Sequence, residues 1–154
     1  MQTATLFNHW REVRQALLAA LDQLSDNQLG FTPCKGLRSL GQTACHIAGA
    51  EEGWFRYCVT HEIDGWEAAD YKLEDFSTVA DLKRLLSEVH ARTEALFPAD
   101  PVGAEAAMQR RVVLPWGTEV SIEDVVWHIL EHEIHHRGEI FLELGLLSME
   151  APDV

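Results

Sequence analysis

The sequence predicts an all-α protein: a four-helix bundle with a long crossover loop and a short β-like hairpin before the last helix. Three observations predict it. Four segments carry apolar residues at steps of three and four, each forming one stripe on a helix. Two of these open on an N-terminal capping pattern, Ser39 with Gln42 and Ser121 with Asp124. A polar stretch over residues 60–77, containing Gly65, separates the second and third segments and is long enough to cross a bundle. No internal repeat or low-complexity run breaks the chain, so 1–154 reads as a single domain.

The elements follow in order. Residues 3–24 form the first helix, with Leu6, Trp10, Val13, Leu17, Leu21 and Leu24 on its stripe. His9 lies at the edge of that stripe as a boundary histidine. Residues 25–38, rich in Gly, Pro, Asn and Asp, are a loop that carries Cys34. The second helix runs from Ser39 to about Val59, with Leu40, Ala44, Ile47, Trp54, Phe55 and Cys58 on its apolar side. In the crossover, Trp66 and Tyr71 are read as anchors onto the bundle. The third helix covers 78–97, with Val79, Leu82, Leu86, Val89 and Leu96 inward, His90 at the surface and Pro98 as the stop. Residues 98–110 are read as loop. Val112–Leu114 and Thr118–Val120 flank Pro-Trp-Gly and form the hairpin. The last helix spans Ser121–Leu144, and a tail follows.

Composition excludes several functions. The chain carries 25 acidic against 12 basic residues, a net charge of −13. That surface repels phosphate backbones and anionic lipid, so nucleic acid and membranes are not expected partners. No apolar run reaches the roughly 18 residues of a membrane span. The first residues show no basic start followed by an apolar run, so no signal peptide is expected. The odd set Cys34, Cys45 and Cys58, without a CxxC pair, fits reduced thiols and a cytoplasmic location.

Chemistry concentrates on the last helix, which holds His128, His132, His135 and His136 of the chain's 8 histidines. With Ile122 at zero and about 100° per residue, the apolar stripe covers about −60° to +40°. His136 falls near about −40° and His132 near about −80°, while His128 and His135 fall further toward solvent, at about −120° and −140°. Residues four apart share a face, so His132 and His136 aim two imidazoles at one point on the core's margin. A helix supplies two nitrogen ligands to a transition metal in this way. On the second helix, periodicity alone leaves His46 open between a ligand and an ordinary polar residue. Glu51 and Glu133 fall inside apolar stripes. Buried carboxylates need partners, either the second nitrogen of a ligating histidine or an arginine.

Two patterns share these letters. His132-Glu133-Ile134-His135-His136 satisfies H-E-x-x-H, which in a zinc peptidase would make Glu133 the general base. The extended form fails, because Gly138 is two residues after His136 rather than three. The longer string His132-Glu-Ile-His-His136-Arg137-Gly138-Glu139 resembles the C-terminal signature of the DinB-like metal-binding helix bundles. Cys45-His46-Ile47-Ala48, with Glu51 and Trp54 beyond, is similar to that family's second-helix motif. Pro115-Trp116-Gly117 is similar to the segment ahead of its last helix. The resemblance covers essentially the whole chain. Glu139 departs from it, since the family usually has Gln after the Gly.

The resemblance implies one divalent metal on His46, His132 and His136. Zinc or nickel suits an all-imidazole set, with iron or manganese as alternatives. Three neutral ligands leave coordination positions open, as in catalytic sites, where bound water or a bound thiol is readily deprotonated. Relatives in that family include transferases that join low-molecular-weight thiols to electrophiles, and thiol-dependent isomerases. The resemblance therefore implies a metal-dependent enzyme with a small-molecule substrate, one that transfers such a thiol, and a homodimer. The alternatives are a non-catalytic metal-binding bundle used in sensing or stress, and a zinc-dependent hydrolase. No catalytic acid or base is identified; Glu133 and His135 are the candidates.

Overall fold

Both capping patterns make their bonds. The Ser39 amide donates to Gln42 Oε1 at 2.9 Å, and the Gln42 amide donates back to Ser39 Oγ at 3.3 Å. Ser121 and Asp124 do the same at 2.9 and 3.0 Å. In the computed structural model, which describes residues 3–154, these caps start helix α2 at Leu40–Glu52 and helix α5 at Ile122–Leu146. Helix α1 spans Thr3–Leu21, and α3 spans Val79–Glu94 behind a Thr78 cap. The axis of α2 continues as a π-helical turn, Gly53–Val59. The crossover carries only short 3-10 turns, at Trp66–Ala69 and Leu73–Asp75. The all-α bundle with a short hairpin therefore stands.

Three expectations need correction. Residues 98–110 are not all loop, because helix α4 occupies Pro101–Gln109. Asp100 caps it by accepting from the Gly103 amide at 2.7 Å, and Pro101 sits in its first turn. Asp followed by Pro is a helix start, outweighed in the sequence by the lack of an apolar stripe. His90 is not at the surface; it is buried, one helical turn after Leu86 on the same face. Leu96 lies beyond the end of α3 and is 39% exposed.

Strands β1 (Arg111–Val113) and β2 (Glu119–Ser121) pair antiparallel, with Val112 opposite Val120. Gly117 turns the hairpin at φ 90°, where a side chain would be strained.

The core is split in two. One apolar cluster joins Leu6, Trp10 and Val13 of α1 to Phe55 and to Val126, Ile129 and Leu130 of α5. The other joins Leu17 and Leu21 to Ala44 and Ala48 of α2, Leu86 of α3, and Ile140 and Leu144 of α5. Between them lies a polar layer. Arg14 donates through Nε to Glu133 at 2.6 Å and through Nη2 to Glu51 at 2.7 Å. Its Nη1 donates to the Leu86 carbonyl. Trp10 Nε1 donates to Glu133 at 2.6 Å, and His90 Nδ1 donates to Glu51 at 3.0 Å. Glu51 and Glu133 are 0% and 1% exposed, so their partners replace water completely. Burial alone would lower the Arg14 pKa, but the two carboxylates outweigh it and hold the guanidinium more basic than usual. Burial would likewise raise the Glu51 pKa, and Arg14 and His90 instead hold it below the ordinary carboxylate value.

Candidate metal centre

The imidazoles share the level of this polar layer. His132 and Glu133 are neighbours, so their side chains leave α5 about 100° apart. Glu133 turns toward α1, and His132 turns toward α2. There His46 meets it: the two Nε2 atoms are 3.1 Å apart. His136, one turn further along α5, closes the group. Its ring centroid is 4.4 Å from that of His132 and 4.7 Å from that of His46. One nitrogen from each of the three lies within 4.8 Å of the others. The structure thus brings together the three residues singled out in the sequence.

The donor set suits a divalent transition metal. Burial lowers the His46 pKa to about 4, with Arg38 and His136 adding to it. Burial also lowers His132 to about 3, with His136 and His46 adding to it. Both rings are therefore neutral at pH 7, and neutral imidazole is the ligating form. Two facing Nε2 atoms at 3.1 Å leave room for at most one proton between them, so at least one lone pair points into the shared space. His136 Nδ1 donates to Glu139 Oε2 at 2.7 Å, which leaves Nε2 of that ring as a lone pair. Glu139, read in the sequence only as a departure from a family pattern, thus sets the tautomer of one imidazole. Its position three residues after His136 was the available signal. Burial would raise the Glu139 pKa, but its bond from His136 keeps it low and charged. His132 Nδ1 is buried without a hydrogen-bond partner among the described residues, so no bond at that nitrogen fixes its tautomer.

Three further histidines lie outside the triad, and one of them, His135, has its ring centroid 4.8 Å from that of His136. His9 is exposed beside Glu12. His128 is exposed, with its ring centroid 4.6 Å from that of Trp54. His135 is exposed and 3.2 Å from Glu139. A second potential ligand group, His135, His136 and Glu139, shares His136 and opens to solvent. The open question over Glu51 and Glu133 is answered by Arg14: both carboxylates pair with it and neither touches a triad imidazole. Arg14 was missed in the sequence, although it follows Trp10 by four residues and precedes Leu17 by three, on the same stripe. Cys34 is exposed, and burial pushes the Cys45 and Cys58 thiols up to about 11.

A cavity of about 540 Å³ reaches His46 from the crossover side. Residues 36–38, one face of α2 and residues 66–74 line it. Two glycines let the crossover lie against α2. A Cβ on Gly49 would overlap the Ala69 carbonyl, and one on Gly53 would overlap the Trp66 ring. Trp66 and Tyr71 are thus both anchors and cavity walls. A larger hollow of about 1220 Å³ lies between α1 and α4 and has no histidine in its lining among the described residues.

A helical bundle with imidazoles from two facing helices converging at its margin defines a class: histidine-rich bundles with a metal-type donor set in the groove between helices. Comparison with known proteins makes the assignment specific. The model of the DinB superfamily matches residues 9–140, and the chain belongs to that superfamily. The uncharacterized protein YizA of Bacillus subtilis is 26% identical over 136 residues, covering 87% of this chain and 80% of that protein. The crystal structure of a DinB-like protein from Bacillus cereus superposes with a TM-score of 0.74 at 16% identity, over 100% of this chain and 99% of that one. This second likeness shows a shared fold. Among the described residues, no helix is long and apolar enough to cross a membrane.

Proposed function

We propose that the protein is a metal-dependent enzyme that holds one divalent cation on His46, His132 and His136 and transfers a low-molecular-weight thiol to an electrophile. The observation that carries this reading is the convergence of three imidazole nitrogens within 4.8 Å, beside a cavity large enough for a small molecule. A cation held there favours the thiolate form of a bound thiol. The chain's own parts do the rest. Glu139 orients His136, burial keeps His46 and His132 unprotonated, and the Trp66 and Tyr71 walls limit solvent on one side. Zinc or nickel before iron or manganese, a homodimer and a cytoplasmic location belong to the same proposal.

The hydrolase reading loses its general base. Glu133 is 1% exposed and committed to Arg14 and Trp10, so it does not face the imidazoles.

The test is the metal content of native protein and of His46→Ala, His132→Ala and His136→Ala, each purified without a nickel resin. Metal near the native level in any one variant removes that residue from the set. Assays with bacillithiol, mycothiol and glutathione against a model electrophile then separate catalysis from metal binding alone.

A further inference from the structure

The cavity beside His46 is lined by one cation without a carboxylate partner among the described residues. Of the two cations in its lining, Lys72 is taken by Asp70. Arg38 is exposed, lines the same cavity as His46, and has no carboxylate partner among the described residues. Elsewhere the arginines are mostly committed: Arg11 pairs with Glu94, Arg14 with Glu51 and Glu133, Arg56 and Arg92 with Glu52, Arg84 with Asp81, and Arg111 with Glu119. Arg110 and Arg137 also have no carboxylate partner among the described residues, but of the three only Arg38 lines this cavity.

We infer that this cavity is the substrate-binding arm of the imidazole centre, and that Arg38 selects small molecules carrying an anionic group a few bonds from their reacting atom. The inference rests on the metal-and-thiol reading above and names the class of substrate it takes. A planar fork of free donors matches a carboxylate in two parallel bonds. Trp66, Tyr71 and Leu37 offer apolar surface for the stem between the anion and the reacting atom. Glu74 enters from the crossover side, so the anion is met by Arg38 locally rather than by a uniformly positive lining.

The experiment uses the full chain loaded with cobalt(II), in which a sulfur-to-cobalt absorption band reports thiol ligation. It is titrated with 3-mercaptopropionate and, separately, with neutral 2-mercaptoethanol. The native protein is expected to bind the acid about fivefold tighter, the ordinary worth of an exposed ion pair. Arg38→Ala is expected to bring the two thiols to parity, and Arg38→Lys to restore part of the preference. Equal affinities in the native protein, or an unchanged preference in Arg38→Ala, overturn the inference.

A second arm needs no metal. Nitrogen-15-labelled protein is titrated with propionate and with inorganic phosphate while the Arg38 Nε–H and Gly49 amide signals are followed. Shifts with propionate support the anion subsite, and none overturns it. Stronger shifts with phosphate assign the subsite to phosphate monoesters and overturn the carboxylate class. If propionate shifts Arg38 while neither thiol changes the cobalt spectrum, the subsite stands and the thiol chemistry falls. If cobalt does not load at all, the metal reading falls.

Discussion

His46 Nε2 and His132 Nε2 face each other at 3.1 Å, although the residues are 86 positions apart in the chain. Two ring nitrogens held this close, from separate helices, need either a shared proton or a shared cation to offset lone-pair repulsion. The helices place them there without the help of a loop. One imidazole comes from the middle of α2 and the other from the middle of α5, at the level where apolar packing gives way to the Arg14 layer. The layer therefore has an inner part, which is charged and paired, and an outer part, which is neutral and able to ligate.

Glu139 acts through His136. Its carboxylate accepts a hydrogen bond from Nδ1–H and leaves the other nitrogen free for a ligand. Glu139→Ala is expected to weaken zinc binding about tenfold, within the usual range for groups that orient a ligating histidine. Glu139→Gln keeps an accepting oxygen and is expected to lose less. Competition with a chromophoric chelator measures both; equal affinity in all three proteins would show that the bond has no bearing on the metal.

Arg14 neutralises two carboxylates that water does not reach. Arg14→Ala leaves both buried without a counter-ion and is expected to cost about 3–5 kcal/mol. Arg14→Lys keeps the charge but loses the fork, and is expected to fall between native and Ala. Urea unfolding of the metal-free proteins checks the order. A native-like midpoint for Arg14→Ala would mean the layer is not held by this residue.

Glu143 provides the pH test. It lies on α5 beyond Glu139, and its Oε2 is buried without a hydrogen-bond partner among the described residues. Burial pushes its carboxyl from 4.5 up to about 7, and Glu139 adds to this. The folded state therefore binds more protons than the unfolded state across that window, so this group's contribution to stability is present at acid pH and is lost as pH rises toward 7. Glu143→Gln removes the ionisation. At pH 8 the metal-free variant is expected to melt about 3 °C above the native protein. Near pH 4 the difference should vanish, because both side chains are then neutral. Thermal melts at the two pH values decide it; coincident curves at pH 8 would refute the assignment.

What the sequence legibly carried was local. Stripes at three- and four-residue steps placed α1, α2, α3 and α5, and the pairs Ser39–Gln42 and Ser121–Asp124 marked two starts to the residue. The spacing of His132 and His136 put two nitrogens on one face before any partner helix was known. Helix geometry is set by neighbours within a turn or two, so it can be counted along the chain.

What tertiary structure decided was which faces meet. His46 offered no more than an even choice by periodicity, and it became part of a site because α2 packs beside α5. His90 and Arg14 look like surface residues by type, yet both are buried, because Glu51 and Glu133 arrive from other helices to satisfy them. Arg38 gained significance only when the crossover folded back over α2 and enclosed a cavity at His46. A polar side chain's fate depends on partners distant in the sequence. The stabilising term is pairwise and arises only when both groups leave water together.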